Sequence, residues 1–229
     1  MSELFDRYYE ALRKPKVAGG AARISGAGRL AGGRYESVVI SGAGSVEGDL
    51  EAGEVKCAGA TSFRGSVTAV RVSLAGATKV EGDLRAELVK ASGSLRVEGR
   101  LEGGEVRVAG ALKASSVKGR LVELAGAFSV REGVEGEVVE LKLSDDSRAA
   151  YVKGVEVAVE RARGAVGRGD LLSLLLRRRR TPVFKVNAIE ADHVLVDDVA
   201  VEGAVKAKRV ELRGRGEVRG PVEGEVVRR

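Results

Sequence analysis

The sequence predicts an all-β fold, a single-stranded right-handed parallel β-helix with about 17 residues per coil, and three observations carry that prediction. The first is a period. GDLEAGEVKC (48–57), GSVTAVRVSL (65–74), GDLRAELVKA (82–91) and GRLEGGEVRV (99–108) superpose without gaps. Their late valines extend into a ruler along the chain: Val38, Val55, Val72, Val89, Val106, Val122, Val139, Val157, Val194, Val210 and Val227. The second is a local two-residue alternation, as in Val55-Lys56-Cys57 and Val106-Arg107-Val108, interrupted by Gly every five or six residues. That reads as three short strands per coil with Gly at corners of positive φ. The third is the scarcity of aromatics, 3% of the chain with no Trp, which fits an interior too thin for rings and filled by aliphatics. Ala43, Ala60, Ala77, Ala111 and Ala127 are expected to line that lumen. Helix-pair and leucine-rich repeats need longer periods. The rival is the left-handed hexapeptide helix, which keeps a stricter 18-residue period. Right-handedness follows from the crossover preference of parallel strands.

Taken in order, residues 1–20 hold an N-terminal amphipathic helix and linker. Leu4, Phe5, Tyr8, Tyr9 and Leu12 fall at i, i+4, i+8 spacing before Pro15. Such a helix caps the first coil, because solenoid ends expose apolar cross-sections, or it docks on a partner or a membrane. Residues 21–159 are β-helix coils. Between Val157 and Val194 the ruler stretches to 37 residues, which defines a Leu/Arg-rich helical insertion at 160–185. Asp170 is its N-cap, Leu171, Leu172 and Leu175 its apolar residues, and Arg177, Arg178, Arg179 and Arg180 its basic end. Residues 161–180 hold seven Arg and one Asp, so they carry the chain's entire formal charge of +6. This segment either covers a solenoid flank or meets an anionic membrane surface or acidic partner. Nucleic acid is disfavoured, since no stacking aromatics adjoin the arginines. Residues 186–229 continue the same solenoid and stop inside a repeat, leaving an edge open to further pairing.

Composition narrows function. One His and one Cys supply neither a metal cluster nor a Cys/His dyad by ordinary spacing. Cys57 holds the aliphatic slot of Leu74 and Val108, and His193 reads as a solvated turn residue. The glycine-rich GAGSVEG (42–48) recurs coil after coil, so it marks corners rather than a phosphate cradle. Asp145-Asp146 and Asp197-Asp198 are acidic pairs at turns. No catalytic residue, cofactor or metal is expected, and the chain is not read as an enzyme. A single Cys points to a reducing cytoplasm. No Gln and one Asn amid many charges resemble a thermophile's composition. On the exterior, Glu47, Arg64 and Glu81 are successive equivalents and should stack with alternating charge.

The coils at 24–141, with SGAGSVEGDLEAGEVK as the clearest unit, resemble the bactofilin family of polymer-forming cytoskeletal proteins. The resemblance implies a right-handed β-helix that assembles end to end into filaments without nucleotide, with the chain itself as partner in a homodimer or homopolymer. Membrane attachment through a short N-terminal segment is a further property of that family. The contact residues expected here are Leu4, Phe5, Tyr8, Tyr9 and Leu12 at one end. Val218, Val222, Val226 and Val227 form the other. A scaffold docking through 160–185, or a β-helical subunit of a hetero-complex, is the alternative.

Overall fold

The computed structural model describes residues 19–162 and 181–229. The expected N-terminal helix and the helix of the insertion lie outside those residues. Everything described is parallel β-solenoid, in two compact units, one ending at Leu121 and one beginning at Val122.

In the first unit the chain runs through β1 (Ala22–Phe63), β2 (Val67–Val80), β3 (Leu84–Val97) and β4 (Arg100–Ala114). Each of β2 to β4 is nearly a whole coil, stacked in parallel on the previous one. The register is 17 residues throughout: Val55 pairs with Val72, Val72 with Val89, and Val89 with Val106. The backbone stays extended around the coil, yet the side chains turn inward as three pairs, such as Val67/Ala69, Val72/Leu74 and Thr78/Val80. Three flat faces therefore enclose the lumen, as the two-residue alternation predicts. Ladders of identical type line it, among them Leu50, Val67, Leu84 and Leu101.

Two expectations about that interior fail. Ala43, Ala60, Ala77 and Ala111 are exposed, and Ala127 is half-buried, so none lines the lumen. Inward parity resumes at Thr61 and Thr78, which leaves the alanine before each pointing out. Aromatic rings are also not excluded, since Phe63, Phe128 and Phe184 are all buried. Phe128 and Phe184 approach with ring centroids 5.7 Å apart at 58°. Between their strands comes Ser147, whose small side chain leaves them room; its hydroxyl accepts the Phe128 N–H and donates to the Asp145 carbonyl.

Glycine holds the corners for two different reasons. Gly42, Gly59, Gly76, Gly93 and Gly110 share positive φ, and each packs on its predecessor; a Cβ at Gly42 would sit 2.6 Å from Gly26 O. Gly65 is not in that conformation. It is required by space, because a Cβ there would meet the Gly48 backbone at 2.5 Å. The corner beside it is tied by side chains: Asp49 Oδ1 accepts the Ser66 N–H, Ser66 Oγ accepts the Asp83 N–H, and Asp83 Oδ1 accepts the Arg100 N–H.

In the second unit β5 (Ser116–Glu135), which begins just before it, is followed by β6 (Val138–Leu143), β7 (Ser147–Lys153) and β8 (Glu156–Arg161). Next come β9 (Val183–Asp197), β10 (Ala200–Arg213), β11 (Glu217–Val218) and β12 (Val222–Arg228). Val139, Val157, Val194 and Val210 stack in one register column. Strand β8 runs on to Arg161 and β9 starts at Val183, so both ends of the 160–185 range are strand. Across the gap Val157 pairs directly with Val194 and Val152 with Ile189. An insertion at a corner leaves the ladders on either side intact.

Candidate functional site

The expected contact residues divide sharply. Leu4, Phe5, Tyr8, Tyr9 and Leu12, and Leu171, Leu172, Leu175 and Arg177 to Arg180, lie outside the described residues. Val218, Val222, Val226 and Val227 are in the last two strands. Val218 pairs with Val201, Val222 with Val205 and Val226 with Val210. Those partners are fully buried, whereas Val226 is 49% exposed and Val218 and Val222 are half-buried. These three valines thus continue the core ladders with one side uncovered. Val227 does not hold the ruler position: it pairs with Glu211, because the register shifts between Lys206 and Arg209. One residue lost at that bulge moves the ruler from 17 to 16, a shift that spacing alone does not reveal.

The outer surface is laced with ion pairs in two directions. Along a strand, Lys79 binds Glu81, Arg96 binds Glu98 and Arg213 binds Glu211, each two residues apart on one face. Across coils, Arg64 reaches Glu47 at 3.4 Å and Arg85 reaches Glu102 at 2.9 Å. Arg64 also acts on Glu81, completing the alternating column expected from the sequence. The hydrogen bond from Lys79, with its charge, holds the Glu81 carboxyl below its ordinary value, and Arg213 does the same for Glu211. Exposed pairs of this kind add little stability singly, but like charges in a column would penalise a slipped register.

Chemistry is sparse. Cys57 is buried, and burial pushes its thiol up to about 11 despite the Thr61 hydroxyl beside it. His193 is exposed. Asp145 Oδ1 accepts the Asp146 N–H, Asp146 Oδ1 the Val183 N–H and Asp198 Oδ1 the Arg215 N–H, so these carboxylates are engaged in holding corners. Among the described residues no group of three or more His, Cys, Asp or Glu side chains is placed to hold a metal. No helix there is long and apolar enough to cross a membrane.

Sequence reasoning missed one surface. Six successive corners of the first unit, 25–27, 41–43, 58–60, 75–77, 92–94 and 109–111, consist only of Ala, Gly and Ser, and every one of these residues is exposed. Beside them runs a shallow groove of about 720 Å³, floored by Ala43, Ala60, Ala77 and Ser94 and rimmed by Arg29, Lys79 and Arg96. Two-residue parity carried from Val55 and Cys57 to Thr61 and Phe63 puts Ala60 outside, and the same count does so for the alanines of the other coils.

A stacked parallel solenoid with stacking edges and long surface grooves is the architecture of a structural repeat protein. Residues 17–102 match the family model of the bactofilins, described as polymer-forming cytoskeletal. No curated protein and no solved structure matches the chain.

Proposed function

We propose that this protein is a cytoskeletal scaffold whose solenoid self-associates through the β12 edge into nucleotide-independent filaments. The observation that carries the reading is the half-covered valine ladder: Val226 is 49% exposed where its register partner Val210 is fully buried. Burying that ladder against a second copy removes apolar surface from water, and backbone pairing along the strand fixes the register of the junction. The bactofilin match over 17–102 supports the same conclusion independently.

Negative-stain electron microscopy of the full chain, without nucleotide, beside a Val222→Arg/Val226→Arg variant tests it. Filaments in the parent that are absent in the variant are the expected result, with circular dichroism confirming that the variant is folded. Compact particles from both, across salt and concentration, overturn the polymer. Filaments from both move the contact away from β12.

A further inference from the structure

We propose that the second unit carries an anion site, fitted to a phosphate group, in the pocket lined by Arg148, Lys185 and Asn187. The starting point is a missing column of carboxylates. In the first unit Lys79 lies between the inward residues Thr78 and Val80, and Arg96 between Leu95 and Val97. A glutamate two residues on holds each of them, Glu81 at 2.8 Å and Glu98 at 2.7 Å. In the second unit the same place, between Ser147 and Ala149 and between Phe184 and Val186, is taken by Arg148 and Lys185, both exposed. Two residues on stand Ala150 and Asn187, which bear no charge. Arg148 and Lys185 are register partners, so two cations stack about 4.8 Å apart without the acids that would offset them. Like charges directly opposite one another cost stability, and the first unit shows that the fold does not require them unpaired. Lys113 also lacks such a glutamate, but it stacks on Arg96, whose charge Glu98 offsets.

A cavity gives these charges something to act on. The ladder is irregular on both sides of this face, between Val130 and Gly133 where β5 meets β7, and between Glu202 and Ala204 where β10 meets β9. Bulges of this kind re-aim side chains and interrupt pairing. Between them lies a pocket of about 540 Å³, where Arg131, Arg148 and Lys185 outnumber a single carboxylate, Glu202. That carboxylate is shared, lying 3.3 Å from Arg219 and 3.9 Å from Lys185. Glu132 and Glu135 do not line the pocket; both act on the Tyr151 hydroxyl. Arg148 donates its Nε–H to the Ser129 hydroxyl at 2.8 Å and makes no ion pair among the described residues. Its guanidinium is thereby oriented while its terminal nitrogens keep their donors. Asn187 is the chain's one side-chain amide and adds a neutral donor.

A phosphate monoester carries about −1.5 to −2 at neutral pH and offers three acceptor oxygens. A guanidinium fork, an ammonium and an amide together match that charge and that number of acceptors. The pocket is larger than a bare phosphate, so the group belongs to a bigger molecule, a soluble phosphoester or a lipid headgroup.

Equilibrium dialysis of the full-length chain against labelled inorganic phosphate, with ionic strength held constant by chloride, tests the site. Saturable binding is expected, and Arg148→Ala/Lys185→Ala should weaken it at least about tenfold. Ala150→Glu/Asn187→Glu removes no cation but restores the carboxylates of the first unit, and it should weaken binding equally. Lys79→Ala/Arg96→Ala should leave binding unchanged, with circular dichroism checking the fold of all three variants. Binding that does not saturate, that survives the substitutions at 148 and 185, or that falls equally in the Lys79/Arg96 variant overturns the proposal. Flotation with phosphatidylcholine vesicles, with and without phosphatidic acid, then separates the sources. Binding that needs phosphatidic acid and is lost in the Arg148/Lys185 variant assigns a lipid headgroup. Vesicle binding equal in parent and variant, beside lost phosphate binding, assigns a soluble phosphoester. Dialysis counts bound phosphate whether the chain is single or assembled, so the outcome stands apart from that of the microscopy.

Discussion

The corner that follows the ruler strand is built in two ways in this molecule. In the first unit it is an uncharged run centred on glycine, as in Ala58-Gly59-Ala60 and Ala75-Gly76-Ala77. In the second unit the first such corner, Ala125-Gly126-Ala127, is of the same kind, but later ones are charged: Asp145-Asp146 after β6, Asp197-Asp198 after β9, and Arg213-Gly214-Arg215 after β10. The 160–185 insertion begins at this corner too, after β8. Stacked glycines hold the first kind, whereas a carboxylate accepting a backbone N–H 17 residues on, Asp198 to Arg215, holds the second. The difference teaches that a solenoid corner needs its backbone hydrogen bonds placed but not one particular surface. Where glycine does that work the flanking residues are free to form a contact face. Where a carboxylate does it, the corner becomes polar and can open to admit twenty residues.

The sharpest way to break the comparison is to attack the stacked glycine and its neighbour separately. Gly76→Ala forces a side chain into φ +107° and against the Gly59 backbone. It should cost about 3 kcal/mol in urea unfolding. Ala77→Glu, one residue later and exposed, should stay within about 0.5 kcal/mol. Comparable losses at both positions would mean that the alanines are structural and that the surface argument fails.

The carboxylate corner is expected to be softer. Asp198 adopts φ +54° and its Oδ1 lies 3.0 Å from the Arg215 nitrogen. Asp198→Ala loses the hydrogen bond and keeps the left-handed backbone, for a cost of about 2 kcal/mol. Asp198→Gly relieves the backbone and should cost only about half as much. Amide hydrogen exchange at Arg215 reports the local opening. Identical costs for the two variants would show that the conformation at 198 carries no strain.

Thr78 provides a substitution of opposite sign. It is only 5% exposed, next to the small-residue corner, and its Oγ1 has no hydrogen-bond partner. Its register partner one coil on is Leu95, so the site accepts an apolar side chain. Thr78→Val should raise stability by about 1 kcal/mol, because the hydroxyl's desolvation is not compensated. A loss instead would point to an ordered water in the lumen.

Much of this was legible beforehand, and the failures are local. Register in the first unit, the core slot of Cys57 and the alternating column through Arg64 follow from counting repeats, because equivalent residues must stack. Facing at the glycine corner was legible as well: Cys57 and Thr61, four residues apart, are both buried, so two-residue parity runs through Gly59 and puts Ala60 outside, and Leu74 and Thr78 do the same for Ala77. Small size alone suggested the lumen and misled. Val227 is different, since a bulge at Lys206/Arg209 is invisible in a sequence that places two valines together at 226 and 227. Phe128 and Phe184 fit inside because of Ser147, a compensation between neighbours that composition does not show.

The last effect vanishes at neutral pH and belongs to the first unit alone. Cys57 precedes the Ala58–Ala60 corner, while the equivalent slots of the second unit hold Leu141, Val159, Val196 and Leu212. Burial raises the thiol from its ordinary 9.0 to about 11. The folded state therefore keeps its proton where the unfolded chain begins to lose it. Below about pH 9 both states are protonated and stability is unaffected; from about 9 to about 11 only the unfolded thiol ionises, so stability falls as pH rises. Cys57→Val, which copies Val108 three coils along the same column, should remove that alkaline component and leave unfolding at pH 7 nearly unchanged. Unfolding curves of the two proteins at pH 7 and pH 10.5 make the comparison, and a thiol reagent at pH 8 should label the parent only at the rate at which it opens. Rapid labelling of the folded chain would place Cys57 outside the lumen, and with it the parity on which the two kinds of corner are distinguished.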